Sequence, residues 1–259
     1  MTMLRSLLVL LLTAIAIALE AAQLPAPFGT RLGVTDGGVE VYSCNLPPGE
    51  EALDMDPNYV DGVYTGVRWQ CVELARRYLY INYGVIFGDV DYAFQIYDLP
   101  AFERVTTKAA VAVTKHSNGA ATPPSPGSLL IWSAYGEMAE TGHVAVVVNV
   151  TDTHVDIAEQ NVEDTIWPTG RLYSRRLQVQ RNATSYEIQK WYGKEHIIGW
   201  ITVDGASPAA VLDSTTTSSS YGFLLAALIV VAVGGFVAQR QYSRRSDRYA
   251  QYDFVNRSQ

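Results

Sequence analysis

The residues of this 259-residue chain with the most chemical range are two cysteines, four histidines and 26 acids. Cys71 follows Trp69-Gln70 and opens an apolar-periodic segment, which places it in the first turn of an expected helix. There the unpaired backbone N–H groups and the helix dipole favour thiolate over thiol, as a nucleophilic cysteine requires. A thiol nucleophile also needs a base. His143 heads the run His143-Val144-Ala145-Val146-Val147-Val148 directly after Thr141-Gly142, a strand edge from which an imidazole can face a cleft. His116, His154 and His196 stand isolated, without metal-ligand spacing, so no metal is expected.

A third group must orient the base. If residues 143–150 and 154–161 pair about a three-residue turn Thr151-Asp152-Thr153, position 143 falls opposite 161 with 159 diagonal to it. A turn one residue earlier puts 143 directly opposite 159, and a two-residue turn would bring Gln160 there instead. Either three-residue turn offers His143 a partner in Glu159 or Asn161. The side-chain amide of Gln70, or the backbone N–H of Cys71, could receive the oxygen of a tetrahedral intermediate. Cys44 leaves another reading open, because a Cys44–Cys71 disulfide would abolish thiol chemistry.

These residues need a scaffold. From Cys71 the pattern is helical, with Val72, Leu74, Ala75, Tyr78 and Leu79 on one apolar stripe, Glu73, Arg76 and Arg77 largely off it, and Gly84 closing the helix. A weaker helix is expected from about Asp91 to Leu99, stopped by Pro100, and Thr122 to Gly127 reads as a proline-rich loop. Val39–Tyr42, Leu129–Trp132, His143–Val150, His154–Ala158 and Ile197–Val203 read as strands. The expected class is α+β, a helix packed on one face of an antiparallel sheet.

The two ends read differently. Residues 1–22 have a signal-peptide pattern, residues 206–220 a serine- and threonine-rich stalk, and Tyr221 to Ala238 is free of charge, close to the ~20 residues of a transmembrane helix. Arg240, Arg244, Arg245 and Arg248 follow it, which predicts a single-pass protein whose 23–205 domain is lumenal or extracellular and whose 239–259 tail is cytoplasmic. Tyr252-Asp253-Phe254-Val255 fits a tyrosine-x-x-apolar signal for a sorting adaptor. Residues 1–22 hold one acid and one base, and 239–259 two acids and five arginines, so 23 acids face 13 bases between them. That balance does not suit nucleic acid. Asn149-Val150-Thr151 and Asn182-Ala183-Thr184 are glycosylation sequons, the second more accessible by its surroundings.

The stretches Trp69-Gln70-Cys71-Val72-Glu73-Leu74-Ala75-Arg76-Arg77-Tyr78-Leu79, Thr141-Gly142-His143-Val144-Ala145-Val146 and Ile157-Ala158-Glu159-Gln160-Asn161 closely resemble the amidase domain of glutathionylspermidine synthetase/amidase, of the CHAP group of cysteine, histidine-dependent amidohydrolases and peptidases. Matches extend from Pro27-Phe28-Gly29-Thr30 to Ile198-Gly199-Trp200. The resemblance implies a papain-like fold, Cys71 as nucleophile, His143 as base, Glu159 as its orienting residue, Arg76 holding substrate, and Gln70 and Asn161 lining the site. It implies no cofactor, and a small polyamine-peptide conjugate or a peptide as substrate. A peptidase cutting bacterial cross-links and a non-catalytic binding module are the alternatives. The synthetase half is expected to be absent, and with it ligation.

Overall fold

The computed structural model describes residues 25–48 and 56–204. The signal-like segment 1–22, the stalk, the apolar segment 221–238 and the tail with Tyr252–Val255 lie outside them. Among the described residues no helix is long and apolar enough to cross a membrane.

In chain order the elements are β1 (Arg31–Val34), β2 (Glu40–Tyr42), β3 (Pro57–Val60), β4 (Val63–Val67), α1 (Cys71–Tyr83), β5 (Val85–Ile86), a 3-10 helix (Ala93–Asp98), β6 (Phe102–Arg104), β7 (Ala110–Val111), β8 (Val113–Ser117), β9 (Leu129–Trp132), a 3-10 turn (Gly136–Met138), β10 (His143–Val150), β11 (His154–Ala158), β12 (Arg175–Arg181), β13 (Tyr186–Ile188) and β14 (Ile197–Val203). Seven of the strands form one sheet in the order β13-β12-β11-β10-β9-β14-β8, antiparallel throughout. The architecture is the strand-rich mixture of helix and antiparallel sheet that the periodicities predict.

Both faces of this sheet are covered, which is why its central strands read as continuous apolar runs rather than as alternating ones. Leu129, Ile131, Val144 and Val146 pack with Leu74, Ala75 and Leu79 of α1. Their neighbours Leu130, Trp132, Ala145 and Val147 turn the other way and pack with Leu177, Tyr186 and Trp200. Each fully buried aliphatic side chain contributes about 1.5–3 kcal/mol, so the two layers fix the helix and hairpins with little freedom.

α1 begins at Cys71 and ends as expected: Gly84 takes the left-handed conformation at φ 63° and its N–H bonds back to Leu79 and Tyr80. Glu73, Arg76 and Arg77 lie off the apolar stripe, yet all three are buried, because each finds polar partners inside the fold. The segment expected as a second helix is a short 3-10 helix, Ala93–Asp98, its start closed by Tyr92 N–H donating to Gln95 Oε1 at 3.0 Å. Six residues between that cap and Leu99-Pro100 leave little room for α-helical turns.

The β10–β11 hairpin sets the register of the site. Its turn is tighter than the three residues expected, since Thr151 N–H bonds to the His154 carbonyl and only Asp152 and Thr153 lie between. A bulge at Val148 takes up the difference, so that Val147 faces Ile157 and Val146 faces Ala158. Continued past the last ladder pair, this register puts position 161 opposite 143 with 159 on the diagonal, the first of the two expected. Both sequon asparagines are exposed, Asn182 in the β12–β13 turn and Asn149 on β10, where its side-chain nitrogen donates to Asp156 at 3.0 Å.

Candidate active site

Cys71 is the first residue of α1, and the residue before it, Gln70, provides no side-chain cap. The first-turn N–H of Val72 therefore remains available, and it bonds to the Cys71 sulfur together with the backbone N–H of Val144 from β10. His143 bonds to the same sulfur. Burial pushes the thiol up, but the charge and hydrogen bond of His143 and the two amides outweigh it, and the thiol lies below its ordinary value.

His143 reaches this position because Gly142 precedes it. Gly142 has φ 63°, and a Cβ there would stand 2.5 Å from the Trp132 carbonyl oxygen and 3.0 Å from Phe94 Cβ. Trp132 then covers the imidazole, with ring centroids 5.3 Å apart. His143 Nε2 lies 2.9 Å from Glu159 Oε2, which leaves Nδ1 for the thiol. Burial disfavours the imidazolium, but the sulfur and then Glu159 overcome this and hold His143 at about 9. Cys71, His143 and Glu159 thus form one hydrogen-bonded line in which the thiol is lowered and the imidazole raised by one another.

Glu159 is itself held. Arg175, at the head of β12, donates its Nε to Oε1 and its Nη2 to Oε2, the latter at 2.8 Å. Burial works against the charged carboxyl, but Arg175 and then His143 prevail, and Glu159 is lowered to about 2.

Gln160 does a different task. Its Oε1 accepts from Tyr42 N–H at 2.9 Å and from Arg77 Nη2 at 3.0 Å, while its Nε2 donates to the Gln70 carbonyl at 3.2 Å and to Glu73 Oε2 at 3.1 Å. One side chain thereby locks the loop carrying Glu159 to the start of the helix carrying Cys71. Asn161, at φ 62°, donates to Gln70 Oε1 at 2.7 Å, and Gln70 Nε2 lies 3.5 Å from Cys44 Sγ. Gln70 and Asn161 therefore flank the Cys71 end of the line. Arg76 is elsewhere: its guanidinium donates to the carbonyls of Phe87 and Tyr64 and lies between their rings, tying α1 to β4 and to the segment after β5.

Both cysteines are free thiols in the structure, and their environments diverge. Burial pushes Cys44 up to about 11, with Asp164 and Cys71 adding to the effect against the Trp69 amide. Sequence reasoning did not reach Gln160 in its anchoring role, nor Arg175. For the latter the signal was partial: Leu177 and Val179 alternate with Gln178 and Gln180 as a half-buried strand does, but Arg175 at the inward position before them does not read as apolar.

The CHAP domain family matches residues 62–161, the stretch that contains Gln70, Cys71, His143, Glu159 and Asn161. Over 180 residues, 68% of this chain, the protein is 39% identical to the bifunctional glutathionylspermidine synthetase/amidase of Escherichia coli (strain K12), of which that covers 29%. It is 30% identical over 198 residues to the trypanothione synthetase of Crithidia fasciculata, covering 71% of this chain and 29% of that protein. With the glutathionylspermidine synthase of the same organism the identity is 33% over 142 residues, 53% of this chain and 19% of the other. The chain spans less than a third of the length of each of these relatives. A buried thiol, imidazole and carboxylate in line, inside the stretch that the family matches, belong to a chain that carries a CHAP domain.

Proposed function

We propose that the domain is a cysteine amidase that hydrolyses a glycyl amide of the glutathionylspermidine class, with Cys71 as nucleophile, His143 as acid and base, and Glu159 orienting the imidazole. The observation that carries this reading is the buried line Cys71–His143–Glu159, with its thiol below and its imidazole above their ordinary values. Similarity to a protein whose name includes glutathionylspermidine amidase supports the choice of amide.

In the first step Cys71 Sγ attacks the amide carbonyl carbon and His143 delivers its proton to the departing amine, leaving an S-acyl enzyme. In the second, water gives a proton back to His143 as its oxygen attacks the thioester; the acid leaves and the thiolate–imidazolium pair returns. The backbone N–H of Cys71 and the Gln70 amide are the proposed donors to the oxyanion. A cysteine at a helix start against a histidine on an antiparallel sheet also supports a papain-like arrangement.

The test is incubation of the full chain with glutathionylspermidine and quantification of free spermidine and glutathione by mass spectrometry. Release of both in equal amounts, lost in Cys71→Ala, is the expected result. No release from that conjugate, but cleavage of peptidoglycan cross-links by the same preparation, would replace the substrate with a peptide. The uncharged segment 221–238 and the arginines after it support a membrane-anchored domain outside the cytosol, which protease protection of the 239–259 tail in sealed vesicles would test.

A further inference from the structure

Arg175 lies one step beyond the three residues of the proposed chemistry. It is the first residue of β12, opposite Ile157 of β11, and shares with Leu177 the sheet face turned away from α1. Its side chain is 1% exposed. Two of its three nitrogens fork onto Glu159, and the oxygen that accepts Nη2 is the one bonded to His143. The guanidinium lies 5.2 Å from the Tyr192 ring and 5.7 Å from that of Trp191. Behind it Glu195 is fully buried, one oxygen accepting from Trp191 N–H at 2.5 Å. The other oxygen of Glu195, and Nη1 of Arg175, have no hydrogen-bond partner among the described residues.

We propose that Arg175 is a positioning residue, which holds Glu159 as a fixed carboxylate against His143 and whose own charge, balanced against that carboxylate, sets the pH range over which Cys71 is a thiolate. The inference rests on the thiol chemistry proposed above. Its physical basis is the balance of charges that are largely withdrawn from solvent. The groups facing one another here are Cys71 from α1, Cys44 from the segment after β2, His143 from β10, Glu159 after β11, Arg175 from β12, and Tyr192 and Glu195 from the segment before β14. Arg175 is the one permanent cation among them. Without it, Glu159, His143 and Cys71 would all hold their protons more tightly, so the thiolate would form only at higher pH. With the cation but without the Glu159 carboxylate, the shift would run the other way. A fork of two parallel N–H donors also fixes the plane of the carboxylate, which a lysine at the same place could not do.

The experiment is the pH dependence of Cys71 alkylation by iodoacetamide in the full chain, with the modified peptide identified by mass spectrometry so that Cys44 is counted separately. Alkylation needs no substrate and reports the thiolate directly. In Arg175→Met the acid limb should move up by about one pH unit or more, an approximately tenfold slower reaction below the limb. Arg175→Lys should keep the limb near that of wild type, because the charge remains. Glu159→Gln should shift it down, and the double variant Glu159→Gln/Arg175→Met should return it toward wild type.

If Arg175→Met does not fold, the last two variants decide. A double variant with the same limb as Glu159→Gln alone would overturn the proposal, as would an Arg175→Met limb identical to wild type with only a lowered melting temperature. Wild-type Cys71 reactive only in the ordinary thiol range would overturn the proposed chemistry and this inference with it. A normal wild-type profile with no response to position 175 overturns the inference alone.

Discussion

Two buried glutamates, each gripped by an arginine, divide this domain between structure and chemistry. Glu73 on α1 accepts at Oε1 from Asn58 at 2.9 Å, Thr65 at 3.1 Å and Arg77 at 2.7 Å, and at Oε2 from Arg77 at 3.2 Å and Gln160 at 3.1 Å. Glu159 has fewer partners, and one of them is an imidazole that also touches a thiol. Burial and an arginine are common to both. What separates them is that the first carboxylate meets only donors that do not titrate near neutrality, whereas the second is connected to a proton that can move. A buried ion pair is therefore not by itself a sign of a reactive site, and the identity of the next partner decides.

Removing a residue from each network should produce losses of opposite kind. Cys71→Ala is expected to reduce hydrolysis by on the order of 10⁴ to 10⁶, the scale on which nucleophile deletions act, with little change in the denaturant unfolding midpoint. A variant with more than a few per cent of wild-type turnover would remove Cys71 from the chemistry. Glu73→Ala leaves Arg77 as an uncompensated buried cation and deprives Asn58, Thr65 and Gln160 of their acceptor. It is expected to cost about 3–5 kcal/mol in equilibrium unfolding. An unfolding free energy within about 1 kcal/mol of wild type would mean that the Glu73 cluster does not hold the fold.

How much of this division the sequence makes legible depends on the range of the contacts. Cys71, His143 and Glu159 can be reached from local patterns, because a helix start and the parity of two adjacent strands are both set by near neighbours. The fold class follows from the same patterns. The supports are another matter. Glu73 and Arg77 are charged residues off the apolar stripe, the ordinary mark of a solvated face, and their burial is completed by partners elsewhere in the chain, Gln160 lying 83 positions from Arg77. Arg175 hides β12, because a buried arginine occupies the position where an alternating strand shows an apolar residue. The turn length also misleads: a tight turn and the bulge at Val148 offset one another, and neither is visible in a hydrophobic pattern. The residues proposed for the chemistry are thus more legible in the sequence than the residues that hold them.

Changing the charge of the second glutamate without its shape sharpens the contrast. Glu159→Gln keeps an acceptor for His143 but removes the negative charge, so the imidazole should lose its proton at a pH below the about 9 of wild type. The alkaline limb of kcat/KM against pH should move down accordingly. Stability should respond with the opposite dependence at the acid end. The folded value of Glu159 is depressed, so its stabilising effect is present above the ordinary 4.5 and is lost as pH falls toward about 2. His143 is raised, so its effect is present below 6.5 and is lost as pH rises through about 9. Urea unfolding across pH should show both declines in wild type and a weakened acid decline in Glu159→Gln. An unmoved alkaline limb would mean that the carboxylate orients the imidazole without charging it.

Asn161 stands beside the two networks, and its effect should be the smallest. Three consecutive residues after β11 have three duties: Glu159 holds the imidazole, Gln160 locks the loop to α1, and Asn161 bonds to Gln70, the residue before Cys71. Its backbone, at φ 62°, lies where most side chains are disfavoured and asparagine and glycine are tolerated. Asn161→Gly removes only the 2.7 Å hydrogen bond to Gln70, in a place exposed to water, and should cost a few tenths of a kcal/mol. Asn161→Ala removes the same bond and also strains the backbone, adding roughly 1 kcal/mol. If Gln70 is an oxyanion donor, both variants should lower kcat more than they raise KM, because its amide is then less firmly held when charge develops on the oxygen. Equal stability losses in the two variants would show that the left-handed turn imposes nothing on position 161. A change in KM alone would place Asn161 among the residues that bind substrate, rather than between the carboxylate that holds the imidazole and the glutamine that flanks the thiol.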